Sequence, residues 1–129
     1  MEIPAEFHDL LSSKAIAMVG TIGRRGEPQV TPLWFLWDGD RVRISLVEGR
    51  QKLRNLQRNP AISLVVVDPA QPTYYVELRG RVSMTPDVGR AVDTQLSWKY
   101  DGRDPGEDRP GAVRVVVRME VEKATGYGA

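Results

Sequence analysis

The residues with the clearest chemical potential lie between Arg43 and Asn59, in the stretch R-I-S-L-V-E-G-R-Q-K-L-R-N-L-Q-R-N. Arg50, Lys52 and Arg54 follow Gly49 closely, and nothing acidic separates them. Val42, Ile44 and Leu46 alternate with Arg41, Arg43 and Ser45, which reads as a strand. Gly49 breaks the alternation. Leu53 and Leu56 then recur at helical spacing until Asn59-Pro60 closes the segment. The three bases therefore fall in or beside the first turn of a short helix, where backbone N–H groups are unpaired and the dipole is positive. Acids are the usual occupants of a first turn, so bases there oppose the macrodipole. A phosphate or similar anion bound at the helix start accounts for them. So does a solvated basic face on a surface helix.

Other chemistries find little support. The chain has one histidine, His8, and no cysteine, which excludes disulfides, thiolate ligands and cysteine nucleophiles and leaves no set for zinc or haem. There is no G-x-S-x-G, G-x-G-x-x-G or P-loop. The carboxylates are scattered, and none stands in an apolar setting that marks a general acid. No catalytic side chain is assigned and no metal is expected. If the protein is an enzyme, a bound organic cofactor carries the reaction.

The 129 residues fit one domain, with 41% hydrophobic and 27% charged residues, an ordinary globular composition. A formal net charge of +1 gives no global field for nucleic acid or an anionic membrane. The segment Trp98-Lys99-Tyr100 interleaves base and aromatics, but a lysine lying along helix aromatics explains it without nucleic acid. No signal peptide or membrane-length apolar run is visible, so a soluble cytoplasmic protein is expected.

The elements that must position the basic cluster follow in order. Pro4 to Ser13 reads as a helix with Phe7, Leu10 and Leu11 on one stripe and His8 off it. Lys14 to Ile22 reads as a buried strand, and Gly23-Arg24-Arg25-Gly26 as a hairpin turn. Glu27 to Trp37 is the returning strand. Pro28 and Pro32 put it at an edge or bulge it around Pro32, and the dense run Leu33 to Trp37 calls for cover on both faces. After the basic helix come a strand at Ala61 to Asp68 and another at Thr73 to Thr85 with a bulge at Gly80. A helix from Pro86 to about Tyr100, a mobile loop from Asp101 to Gly111 and a last strand from Ala112 to Lys123 complete the chain. The tail A-T-G-Y-G-A shows no pattern. Six strands joined mostly by short turns predict an antiparallel sheet closing into a small barrel.

The order of helix, hairpin G-x-P-Q-V-T-P-L-W-F, strand R-I-S-L and then G-R-Q-K-x-R-N-L-x-R-N-P resembles the split β-barrel flavin-binding superfamily. That group holds the pyridoxamine 5′-phosphate oxidase-like proteins and the deazaflavin (coenzyme F-420)-dependent reductases. The similarity spans nearly the whole chain, most specifically Gly26 to Pro60, and is greatest to the short reductases of actinobacteria. It implies a mainly β, six-stranded antiparallel split barrel over residues 1–129, acting as a homodimer with the cofactor in a groove between subunits.

By position, the resemblance gives Arg50, Gln51 and Lys52 the cofactor phosphate. Gln29, Thr31, Pro32 and Leu33 line the isoalloxazine-like ring, and Ser45 and Leu46 flank the ribityl chain. Tyr74 or Tyr75 reaches the groove from the partner subunit. The implied activity is hydride transfer from reduced deazaflavin coenzyme to an electron-poor double bond of a small organic substrate. FMN is the alternative cofactor, since the same cluster suits its phosphate, and a non-catalytic flavin- or tetrapyrrole-binding protein is a third reading. Arg54, Arg58 and the Arg24-Arg25 turn are candidates for the longer anionic tail of the deazaflavin coenzyme. The chain lacks the C-terminal extension of the pyridoxamine phosphate oxidases themselves, so that activity is not expected.

Overall fold

The alternation along the chain becomes one antiparallel sheet of seven strands in a computed structural model that describes residues 1–128. In chain order the strands are β1 (Ala17–Ile22), β2 (Pro28–Leu33), β3 (Leu36–Asp38), β4 (Arg41–Val47), β5 (Ala61–Val67), β6 (Tyr75–Pro86) and β7 (Arg114–Tyr127). Across the sheet the order is β2-β1-β5-β6-β7-β4-β3. The helices are α1 (His8–Ser12), α2 (Gln51–Arg58) and α3 (Ala91–Asp101), and 3-10 turns lead into α1 and α3.

Seven strands replace the expected six, and the sheet does not close: β2 and β3 are its two edges. The difference arises within Glu27 to Trp37. The chain leaves the sheet after Leu33 and returns at the opposite edge at Leu36. Between them Phe35 is fully buried, yet its backbone is satisfied by side chains of α3. Its N–H donates to the Tyr100 hydroxyl oxygen at 3.4 Å, and its carbonyl oxygen accepts from Lys99 Nζ at 2.8 Å. Those bonds stand in for a strand ladder. Pro28 and Pro32 do lie on an edge strand, and its pairing with β1 runs unshifted from Ala17↔Leu33 to Ile22↔Pro28, so β2 carries no bulge. Cover of the Leu33 to Trp37 run is also partial, since Trp34 remains 39% exposed.

The main core lies on the face of the sheet carrying Val42, Ile44 and Leu46 of β4, with Leu64 and Val66 of β5 and Val76 and Leu78 of β6. Phe7, Leu10 and Leu11 close it from α1 and its lead-in turn, and Leu53 and Leu56 from α2. Each such side chain contributes roughly 1.5–3 kcal/mol by leaving water. His8 is half-buried; its Nε2 donates to the Ile3 carbonyl oxygen at 2.7 Å and its ring lies 4.8 Å from that of Trp37. Val92 and Leu96 of α3 form a second cluster on Val116 of β7, across the sheet from the first.

Three further boundaries differ from expectation. β6 continues through Pro86, and α3 begins only at Ala91, because the Asp87 carboxylate accepts the N–H groups of Val92 and Asp93, each at 3.0 Å. The segment read as a mobile loop is tied down: Arg114 grips Asp108 with two bonds of 2.7 Å, and Trp98 Nε1 donates to Asp104 at 2.7 Å. The tail is strand to Tyr127, paired with Tyr75, since main-chain pairing persists after the apolar alternation ends at Val121. The expected bulge at Gly80 is present as a register shift between Arg79 and Gly80, where a Cβ would meet the Glu120 carbonyl. Among the described residues no helix is long and apolar enough to cross a membrane.

Candidate functional site

The turn between β4 and α2 is made by Gly49 at φ +91°, a conformation L side chains avoid. It delivers Arg50 in extended geometry as the N-cap of α2, with no side chain capping the helix. The first bond of the helical ladder runs from Arg54 N–H to Arg50 O at 3.1 Å, so the amides of Gln51, Lys52 and Leu53 precede it. No acidic residue stands in this turn. Lys52 is half-buried, and its ammonium is held below the usual lysine range, first by desolvation and then by the Arg50 charge. Among the described residues, none of Arg24, Arg25, Arg50, Lys52, Arg54 and Arg58 pairs with a carboxylate. Unpaired bases around open amides form a surface that a phosphate would complete.

Asn55, one residue before Leu56, joins this helix to the sheet. It is buried, and its Nδ2 donates to Thr21 Oγ1 of β1 and to Gln29 Oε1 of β2, both at 3.1 Å. Its Oδ1 accepts from Gln51 Nε2 at 2.8 Å. Gln29 and Gln51, read separately in the sequence, are thus two ends of one hydrogen-bonded chain.

On one side of this chain opens a cleft of about 780 Å³. Gln29, Gln51 and Asn55 line it together with Arg24 and Arg25 of the β1–β2 turn and Arg54 and Arg58 of α2. Glu27 is the one carboxylate in the lining, and its Oε2 accepts the Arg25 amide at 3.0 Å. The arginines whose orientation the sequence leaves open therefore face a common space.

Gln29, Thr31 and Leu33 are the half-buried residues of β2 and share one face by strand periodicity. That face leads from the arginine cleft to a second one of about 440 Å³, which Pro32, Leu33 and Ser45 help to line. Ile16, Trp34 and Leu96 add apolar surface, and Asp93 and Arg114 add charge. Ser45 looks out from β4 and accepts from Arg114 Nη1 at 3.4 Å. Leu46 does not join it; its side chain is buried with Ile44 in the core. Nor does Tyr74, which is buried with its hydroxyl donating to the Glu6 carbonyl oxygen at 2.7 Å. Tyr75 is half-buried and lies edge-on to Tyr127, with ring centres 5.8 Å apart.

Asn55, Trp34 and Arg114 were not singled out in the sequence. The first carries a signal, a polar residue immediately before Leu56 of the buried stripe. The other two carry none, because their surroundings come from α3 and the segment before β7. Among the described residues no group of three or more histidine or acidic side chains could hold a metal. The arrangement presents unpaired cations in one cleft and apolar surface in the other, and among the described residues no side-chain pair there is set up for acid–base or nucleophilic catalysis.

A family model described as pyridoxamine 5′-phosphate oxidase matches residues 3–127. A solved F-420 reductase is 33% identical with a TM-score of 0.86, and the match covers 95% of this chain and 98% of that one. A conserved hypothetical protein from Mycobacterium tuberculosis is 23% identical at a TM-score of 0.75, covering 96% and 83% of the two chains. HupZ from Group A Streptococcus is 22% identical at a TM-score of 0.71, covering 98% of each; these last two share the fold. An open antiparallel sheet with three helices, a basic helix start after β4 and a family match over nearly all its length together make this chain a member of the pyridoxamine 5′-phosphate oxidase family of split-barrel proteins.

Proposed function

We propose that the chain is a deazaflavin (coenzyme F-420)-dependent reductase of small organic molecules that carry an electron-poor double bond. The observation that carries this reading is the arginine cleft. Arg24, Arg25, Arg54 and Arg58 line one space beside the start of α2, and among the described residues none is neutralised by a carboxylate. A single phosphate at Arg50 and Lys52 leaves those four charges unused. A cofactor with a phosphate and a longer anionic tail uses both regions. The similarity to an F-420 reductase points the same way.

In this reading the bound coenzyme supplies a hydride. Arg50 and Lys52, beside the open amides at the start of α2, would hold its phosphate. The half-buried face of Gln29, Thr31 and Leu33 would hold its ring, and the apolar side chains of the second cleft, Ile16, Leu33, Trp34 and Leu96, would keep water from the acceptor. FMN is the second reading, favoured by the family match and by the helix start, which suits either phosphate. The working form is a homodimer: the outward residues Met18 of β1 and Val30 and Pro32 of β2 make an apolar face, with Val30 62% exposed, that a second copy would cover.

The test compares the intact deazaflavin coenzyme with a form that keeps the phosphate but lacks the glutamate tail. The intact form is expected to bind more tightly, and Arg54→Ala with Arg58→Ala should erase most of the difference. Equal binding of both forms to the unaltered chain would remove the cleft's assigned role.

A further inference from the structure

We propose that the second cleft selects flat, uncharged ligands presenting a hydrogen-bond acceptor, and that Arg114, neutralised by Asp93 and Asp108, sets this selectivity. Calling such a ligand the substrate rests on the reading above; the selectivity itself does not. The cleft has a flat wall, since the Trp34 ring is stacked on that of Tyr100 with centres 4.9 Å apart and planes 6° from parallel. Leu33 and Leu96 add apolar surface.

The charged groups at the cleft cancel among themselves. Arg114 meets Asp108 through Nε and Nη2 at 2.7 Å each, and its Nη1 lies 3.1 Å from Asp93. Asp93 is also paired with Arg90 at 2.6 Å, and Arg90 reaches Asp108 at 3.2 Å. Two guanidinium groups and two carboxylates thus form one closed network. The hydrogen bonds from Arg114 hold the Asp108 carboxyl below its usual range, and the bond to Asp108 raises Arg114, so both stay charged at neutral pH. Among the described residues lining the cleft, an anionic ligand finds no unpaired cation. It loses its own hydration with no uncompensated positive charge to replace it, a net penalty.

One polar group is left over. Ser45 Oγ accepts from Arg114 Nη1 at 3.4 Å, which turns its own O–H proton away from that guanidinium and leaves it to donate into the cleft. A carbonyl oxygen fits that donor. The neighbouring arginine cleft is the electrostatic opposite, with four arginines against the single carboxylate of Glu27 and no ion pair to any of them among the described residues. The two spaces along one face of β2 therefore sort charged from uncharged chemistry.

An NMR titration of the full-length 15N-labelled chain tests this, following the Trp34 indole N–H, assigned by its loss in Trp34→Phe. The probes are coumarin and coumarin-3-carboxylate, each with and without the deazaflavin coenzyme. Coumarin should shift Trp34 saturably, and the carboxylate should bind about tenfold more weakly or worse. Asp108→Asn, which leaves Arg114 undercompensated, should narrow the gap to about threefold, whereas Asp108→Glu should keep it. Equal or tighter binding of the carboxylate overturns the proposal, as does an unchanged ratio in folded Asp108→Asn or no Trp34 shift with either probe. If Asp108→Asn fails to fold, the ratio in the unaltered chain still decides. Absence of coenzyme binding would count against the reductase reading alone, because the selectivity is also read on the coenzyme-free chain.

Discussion

Lys99 donates to the carbonyl oxygen of Phe35 at 2.8 Å, tying the last turn of α3 to the point where β2 leaves the sheet. Its ammonium also lies 4.1 Å from the centre of the Phe35 ring. The neighbouring Tyr100 hydroxyl donates to the Ala15 carbonyl oxygen at 3.0 Å and accepts the Phe35 N–H. Two consecutive side chains thus hold the crossing from one sheet edge to the other. This crossing sets where β2 ends and where Trp34 enters the second cleft.

Burial lowers the Lys99 pKa from 10.5 to about 8. Between those values the unfolded chain binds more protons than the folded one, so stability rises with pH across that window. Below about pH 8 the cost of burying the charge is present in full. Lys52, also lowered, adds to the slope, while Tyr100, raised by burial, opposes it above its ordinary range. Urea unfolding from about pH 7.5 to about pH 9.5 should show stability increasing. In Lys99→Met the rise should be smaller, and an identical slope would show that Lys99 is not held as described.

Lys52→Ala should weaken coenzyme binding by ~1.5–3 kcal/mol, the worth of a lost charged hydrogen bond, with little effect on thermal stability. Lys52→Arg should recover part of the loss. Fluorescence titration and a melting curve on the same preparations separate a binding role from a structural one, and unaltered affinity would move the phosphate away from this helix.

Asn55→Ala leaves the buried Thr21 Oγ1 and the half-buried Gln29 Oε1 without their shared donor and releases Gln51 Nε2. A loss of about 1–3 kcal/mol in stability is expected. Coenzyme affinity should fall too, since Asn55 fixes Gln29 relative to α2. Chemical denaturation and titration of this variant check both effects. Full affinity in a folded Asn55→Ala chain would show that the Asn55–Gln29 bond does not position the site.

Gly80→Ala should be among the most damaging small substitutions. The added methyl would run into the Glu120 carbonyl, a backbone group that cannot swing aside. A cost above ~2 kcal/mol is expected. Gly106→Ala, with nothing near its absent side chain, should cost far less in the same melting experiment.

The contrast between these glycines bears on what the sequence makes legible. Gly80 interrupts a clean alternation, so its bulge can be read locally. Gly49 likewise marks the change from strand to helical period, which is why the basic start of α2 is visible without a structure. Leu46 could also be placed: it alternates in phase with Val42 and Ile44, which makes it core, while Ser45 faces the site. The crossing at Trp34 and Phe35 is different, because its hydrogen bonds come from Lys99 and Tyr100, far along the chain. The grip of Arg114 on Asp108 similarly turns a charged, Gly- and Pro-rich segment into an ordered one. Composition alone describes such a segment as loose. Long-range side-chain pairing is the part that local pattern does not contain.

The most direct test of the central claim is a parallel titration of the purified protein with the deazaflavin coenzyme and with FMN, followed by cofactor fluorescence. The proposed function predicts micromolar or tighter binding of the deazaflavin coenzyme and clearly weaker binding of FMN. Tighter FMN binding would contradict it and assign the site to the flavin branch of the family. Binding of neither would mean that the bases at the start of α2 form only a solvated face.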